Sequence, residues 1–311
     1  MMLSDMVVKD KVKDQGVVGG GFAASYREAV GVVERACEGY LGGDESVPER
    51  LRESMVYSIR AGGKRLRPVL VLLSCRSCGG QDESALPAAA AMEMIHTFSL
   101  IHDDLPAMDD DDLRRGQPTN HKVFGEGMAV LAGDALVTCA FGTIAKYVED
   151  DRLAKRLVLE LSEATGGAGM IGGQAVDILG PGSEGQLEAV RRIHTLKTGK
   201  LFRAAARMGG LCGGASEPRV EQLGWFGLKC GLAFQVVDDL LDLTGTAEEL
   251  GKEAQKDKRA GKLTYPSVAG EAASREHVKV LIGEAIGHLV DLGESGELLR
   301  EFARMLVSRR N

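Results

Sequence analysis

Aromatic side chains are scarce in this chain: Phe, Trp and Tyr make up 5% of its 311 residues, and there is a single Trp. The β-branched and aromatic alternation of strands is correspondingly rare, while Ala, Leu, Val and Gly abound, which favours helix over a β-sandwich. Positive charge is in deficit. The 38 Lys and Arg face 45 Asp and Glu, a formal net charge of −7, and such a surface repels nucleic-acid phosphates. Long apolar runs are missing too, since no segment reaches the roughly 18 uninterrupted apolar residues of a membrane span. The opening MMLSDMVVKDKVKDQGVVGGG has no apolar signal core and reads as a disordered leader over residues 1–22, ending at the Gly19–Gly21 run. Cys75 and Cys78 form one CxxC, but a zinc ribbon needs a second pair and none follows. Five of the six cysteines lie in or beside apolar helical stretches and read as small core residues, and the chain reads as a reduced, cytoplasmic protein.

What is present is helical periodicity. Leu86, Ala90, Met94, Phe98 and Ile101 recur every three or four residues up to Asp103. Leu223, Phe226, Cys230, Phe234, Val237 and Leu241 do the same up to Asp242. Such stripes mark helices packed on helices. Glycine breaks separate them, none long enough for a domain linker. The sequence predicts one large all-α bundle domain over residues 23–311.

Two acidic motifs stand out. The first is Asp103-Asp104-Leu105-Pro106-Ala107-Met108-Asp109-Asp110-Asp111-Asp112, directly after a buried helix face. So many carboxylates repel one another unless cations neutralise them. A solvated acidic loop is the bland reading, and the preceding apolar stripe argues against it. An EF-hand loop lacks its central glycine and ligand spacing here. Hard oxygens with spare coordination positions suit Mg²⁺ shared with substrate phosphates. The second motif is Gln235-Val236-Val237-Asp238-Asp239-Leu240-Leu241-Asp242, where Gln235, Asp238 and Asp242 share one helix face. Two such motifs predict facing carboxylates in one bundle cavity. Basic clusters accompany them: Lys64, Arg65 and Arg67 after a glycine turn, Arg114 and Arg115 after the first motif, Lys197 and Lys200 around Thr198, and Lys252, Lys258, Arg259 and Lys262 after the second. Arg makes bidentate phosphate contacts and Lys acts as a point charge.

In this order, GGKRLRP, LIHDDLPAMDDDDLRRGQPTNH, GGQAVDI, HTLKTGKL, FQVVDDLLDLTG and GKLTYP resemble the trans-isoprenyl diphosphate synthases over about Tyr57 to Pro266. The four-residue spacer Leu105–Met108 is similar to that of bacterial farnesyl and plant-type geranylgeranyl diphosphate synthases. The resemblance implies a helical isoprenoid-synthase bundle, a homodimer, and Mg²⁺ as cofactor, with three ions bound alongside the allylic diphosphate. It implies Asp103, Asp109 and Asp238 as metal ligands, with Asp104, Asp239 and Asp242 supporting. Arg114, Lys197, Lys252 and Lys262 would hold the allylic diphosphate, and Lys64, Arg67, His96 and Arg115 isopentenyl diphosphate. Thr198 and Gln235 would lie by the nascent carbocation, and Gln174 and Asp177 in the same pocket. His102, His121 and His194 keep structural roles. The implied reaction is head-to-tail condensation of isopentenyl diphosphate with a dimethylallyl or geranyl primer.

Phe98 lies five residues before Asp103, about 7.5 Å nearer the helix start and about 140° around the axis. An aromatic there resembles synthases that stop at farnesyl diphosphate, with Ser99 beside it leaving room. Packing in the core is the competing reading of Phe98. A geranylgeranyl synthase is the nearest alternative product. A class I terpene cyclase needs no second-substrate site such as GGKRLRP, and a non-catalytic partner subunit is opposed by two intact aspartate motifs.

Overall fold

A computed structural model describes residues 20–43, 45–180, 182, 185–244 and 263–308. Helix α1 (Gly20–Gly42) starts inside the glycine run that was expected to close the leader. Then come α2 (Glu49–Arg60), α3 (Leu66–Ser77) and α4 (Asp82–Asp103), followed by a short hairpin of β1 (Leu113–Arg114) and β2 (Gln117–Pro118). The chain continues through α5 (Asn120–Phe124), α6 (Glu126–Tyr147), α7 (Asp151–Thr165), α8 (Met170–Leu179), α9 (Gln186–Ile193), a π-helical turn (His194–Gly199), α10 (Lys200–Cys212) and α11 (Glu217–Thr244). Beyond residues 245–262 lie α12 (Tyr265–Ala269), α13 (Glu271–Gly287), a 3₁₀ segment (Val290–Gly296) and α14 (Glu297–Val307). The fold is the all-α bundle that the periodicity predicts.

Helix α4 runs through the interior. Asp82 and Glu83 complement the macrodipole in its first turn, and Ala88–Ala91 are fully buried. These small side chains let α3, α6, α10 and α1 pack closely around it. On α11 the stripe Leu223, Phe226, Cys230 and Val237 is buried against α10 and α13, as its spacing requires. Phe202, Phe226 and Phe302 are fully enclosed, and truncating any of them to Ala is expected to cost about 3–5 kcal/mol. Helix α7 starts cleanly because Asp150 accepts the Arg152 and Leu153 amides.

Among the described residues two helices, α4 and α6, have the length and mean hydropathy of membrane spans. The α4 window is 72% buried inside the bundle, which accounts for its composition. The α6 window is only 39% buried and presents Val130 and Leu131 outward. None of the six cysteines forms a disulfide; Cys37, Cys75 and Cys230 are buried core residues, whereas Cys78, Cys139 and Cys212 are only half-buried.

Candidate active site

Helix α4 stops at Asp103 because Pro106 follows, and a proline disfavours helix in the residue before it. The four-residue spacer then folds back. Asp109 N donates to Asp103 O over 2.8 Å and Asp111 N to Asp104 O over 3.2 Å. The extra residues thus bring Asp109 beside Asp103. Asp110 takes a positive φ of 50° to make this turn. The hairpin that follows closes through Arg115 and Gly116, both at positive φ, as a two-residue turn demands.

The two leading aspartates differ in environment. Asp103 faces a cavity of ≈ 450 Å³ and accepts from Gln174 Nε2 over 2.8 Å. Burial raises its pKa to about 6; Lys197 and Arg114 oppose the rise and Asp109 and Asp104 add to it. Asp104 is buried and bonded to Arg114, with Nε at 2.9 Å. Arg114 also reaches Asp111 over 3.3 Å.

The GGKRLRP segment splits its three cations. Lys64 is exposed. Arg65 turns inward, pairing with Glu93 at 2.5 Å and Glu34 at 3.2 Å. Arg67 lines the cavity, donates Nη1 to His96 Nε2 over 3.3 Å and stacks over Phe202. Since Arg has no acceptor, His96 Nε2 is unprotonated and the proton sits on Nδ1. Burial, then the Arg67 and Arg115 charges, push the His96 pKa well down, so the ring is neutral at pH 7. Arg115 donates to Gly62 O, and its guanidinium packs on Gly63 where a Cβ would collide. Burial lowers its pKa to about 10, which leaves it charged at neutral pH.

Lys197 and Thr198 lie in the π-helical turn, where Lys200 N reaches back five residues to Thr195 O. Such wide turns recur at functional sites. Lys197 Nζ donates to Asp177 Oδ2 over 2.8 Å. Thr198 Oγ1 donates to Gln235 Oε1 over 2.8 Å, and Gln235 Nε2 donates to Asp239 Oδ1 over 3.2 Å. Lys200 turns away to the carbonyl of Ala168.

The cavity therefore unites Arg67, His96, Phe98, Ser99, Asp103, Lys197 and Thr198 from the expected set, with Gln174. Gln235, Arg114 and Arg115 join it through bonded or charged neighbours. Asp238 is half-buried on α11 but is not among the lining residues, so the facing carboxylates are not both on this wall. Asp242 is buried. Lys252, Lys258, Arg259 and Lys262 lie outside the described residues. His102 donates to Val130 O and also lines the cavity, His121 meets Thr119, and His194 pairs with Asp239. Met108, Met170, Ile171, Ala175 and Ile178 complete an apolar wall. Met108, Ala175 and Ile178 stand inside the quoted motifs without having been singled out, and Met170 and Ile171 continue the apolar spacing of α8 just before GGQAVDI.

Among the described residues no three His, Cys, Asp or Glu converge as a ready-made metal cluster. Mg²⁺ does not need one, because it is usually held by one or two carboxylates plus substrate phosphates. The donor chemistry fits: Asp103 opens on the cavity, and the adjacent Gln174 Oε1 is buried with no protein partner.

A family model described as polyprenyl synthetase matches residues 48–291. The chain is 50% identical over 250 residues to an Arabidopsis thaliana chloroplastic heterodimeric geranylgeranyl pyrophosphate synthase large subunit, covering 78% of this chain and 67% of that one. It is 43% identical over 281 residues to the farnesyl diphosphate synthase of Geobacillus stearothermophilus, covering 89% and 94%. Its fold matches the crystal structure of an FPP/GFPP synthase from Zymomonas mobilis with a TM-score of 0.82 at 36% identity, covering 93% and 99%. The aspartate motifs thus stand in a bundle and a sequence that both lead to one conclusion: the chain belongs to the polyprenyl synthetase family and is a trans-prenyltransferase.

Proposed function

We propose that the enzyme condenses isopentenyl diphosphate head-to-tail with dimethylallyl or geranyl diphosphate, releases pyrophosphate, and makes farnesyl diphosphate as its main product. The observation that carries this reading is the two-faced cavity. Asp103, Lys197 and Arg67, with neutral His96 beside them, form a charged end, and Phe98, Met170, Ile171 and Ile178 form an apolar one. A prenyl diphosphate has the same two faces.

Asp103, Asp109 and Asp238 are the carboxylates we assign to Mg²⁺, three ions in all, with Asp104, Asp239 and Asp242 fixing the frame around them. When bound, Mg²⁺ neutralises the leaving pyrophosphate. The chain's own cations contribute to the same neutralisation. Lys197 and Arg114, with Lys252 and Lys262 after α11, take the allylic diphosphate. Lys64, Arg67 and Arg115 take isopentenyl diphosphate, and neutral His96 adds a hydrogen-bonding group without charge. The Thr198 and Gln235 oxygens present dipoles to the allylic cation. The apolar wall excludes the water that would quench it. No side chain stands out as the base, so departing pyrophosphate takes the final proton. A terpene cyclase would line its cavity with aromatics, and Phe98 is the one Phe, Tyr or Trp among the described lining residues.

Residues 23–311 form one catalytic domain in this reading. The outward Val130 and Leu131 on α6 support pairing of two copies as a homodimer. Six free thiols suit a cytoplasmic location. Geranylgeranyl diphosphate is the second reading, favoured by the 50% identity to a subunit named for that product. Purified protein given both substrates and Mg²⁺ is expected to release pyrophosphate and yield a C15 product on chromatography. A C20 product would favour the second reading, and no pyrophosphate release would overturn both.

A further inference from the structure

Helix α8 carries two polar residues one turn apart, Gln174 and Asp177, and each is bonded to a charged residue on a different element. Gln174 Nε2 donates to Asp103 Oδ1, at the end of α4, over 2.8 Å. Asp177 Oδ2 accepts from Lys197 Nζ, in the π-helical turn, over 2.8 Å. Helix positions three apart share a face, with Cβ atoms about 5–6 Å from each other. One short helix therefore grips a carboxylate and an ammonium that line the same cavity.

Left alone, those opposite charges would attract. In a half-buried cavity the effective dielectric is far below that of water, so the attraction is strong. A direct Asp103–Lys197 pair would close the cavity's charged end and withdraw both groups from a ligand. Helix α8 is itself fixed against the Lys197 turn: a Cβ on Gly173 would lie 2.8 Å from Lys197 Cα, so only glycine allows this approach. Asp177 is only 8% exposed and Lys197 24%, which makes the contact an enclosed one rather than a surface pair.

We propose that α8 is a positioning strut: Gln174 and Asp177 hold Asp103 and Lys197 apart in the substrate-free enzyme, so that a magnesium-bound diphosphate enters a charged end that has not collapsed on itself. This rests on the diphosphate reading of the cavity. Lys197 has three donors, so it can keep one on Asp177 while offering another to a phosphate oxygen. Gln174 and Asp177 act through their partners and touch no reacting atom.

The test is calorimetric binding of inorganic pyrophosphate in the presence of Mg²⁺ to the full chain. It compares wild type, Asp177→Ala, Lys197→Met and the double variant. Asp177→Ala is expected to weaken binding about tenfold, as loss of an outer partner of a metal site does. In the Lys197→Met background the same change is expected to cost less than about twofold, because Asp177 acts through Lys197. Equal losses in both backgrounds, no loss, or tighter binding from removing a negative charge would each overturn the strut. Gln174→Leu is expected to raise the half-saturating Mg²⁺ concentration about tenfold at fixed pyrophosphate, and an unchanged value would count against it. Should Asp177→Ala fail to fold, Asp177→Asn keeps the shape and an acceptor and carries the same cycle with a smaller loss. Wild type that binds while the variants match it sinks the strut alone, whereas wild type that does not bind sinks the diphosphate reading.

Discussion

Thr198, on the cavity wall, donates its hydroxyl to the side-chain carbonyl of Gln235 over 2.8 Å. The chain of bonds continues inward. Gln235 donates to Asp239 over 3.2 Å, and the other Asp239 oxygen accepts Tyr265 N at 2.8 Å and faces His194 at 3.3 Å. Asp239 is 5% exposed, so this carboxylate anchors α12 to α11. Asp239→Ala is expected to remove about 2 kcal/mol of stability and lower Tm by several degrees, because buried donors lose a charged acceptor. Asp238→Ala is expected to leave Tm near wild type and nearly abolish turnover. Thermal melts and steady-state rates on the two variants separate these roles, and the reverse pattern would exchange them.

Asp103 links activity to pH. Its pKa in the metal-free protein is raised to about 6, first by burial. A raised carboxylate holds its proton more tightly in the folded than in the unfolded chain. Between the unfolded value, about 4, and 6, stability from this group therefore falls as pH rises. Above that window the carboxylate is charged and ready for a cation. The Mg²⁺ concentration for half-maximal rate is expected to climb as pH drops below about 6, approaching about tenfold per pH unit. EDTA is expected to stop turnover and Mg²⁺ to restore it. Asp103→Ala is expected to cost several kcal/mol of transition-state stabilisation. A flat Mg²⁺ requirement from pH 5 to 7 would contradict the assignment.

Neighbouring cations in GGKRLRP are expected to behave differently. Lys64→Ala and Arg67→Ala are expected to raise KM for isopentenyl diphosphate far more than for the allylic partner. Arg65→Ala leaves Glu93 buried without its 2.5 Å partner and is expected to destabilise the fold by about 3–5 kcal/mol. Two-substrate kinetics and denaturant titration distinguish the classes. A KM effect confined to the allylic substrate would mean the pockets are exchanged.

Phe98 is 6% exposed, lines the cavity and meets His102 edge-on at 5.7 Å between ring centres. Its ring is thus both core and wall. Phe98→Ala is expected to lengthen the product towards C20 while keeping substantial turnover. A folded variant that still makes only the wild-type product would return Phe98 to a packing role.

The sequence by itself determined the helices and the order of the chemistry along them. Apolar spacing of three and four fixes which face of α4 and α11 is buried, and Asp103 stands at the end of one such face because Pro106 stops the helix. Periodicity does not say which of several identical residues meets the cavity; the family resemblance alone ranked Asp103 above Asp104 and picked Arg67 over Arg65. Asp103 opens on the cavity while Asp104 is sealed by Arg114, and Arg67 reaches the cavity while Arg65 dives to Glu93. Local pattern cannot separate such neighbours, because the partners are 10 residues away in one case and 28 in the other. The same holds for Asp177 and Lys197, 20 residues apart, and for Gln174 and Asp103, 71 apart. Periodicity reports which side of a helix faces inward. Only the packing of α8 against the π-helical turn and the end of α4 decided which charges hold one another and which face the cavity.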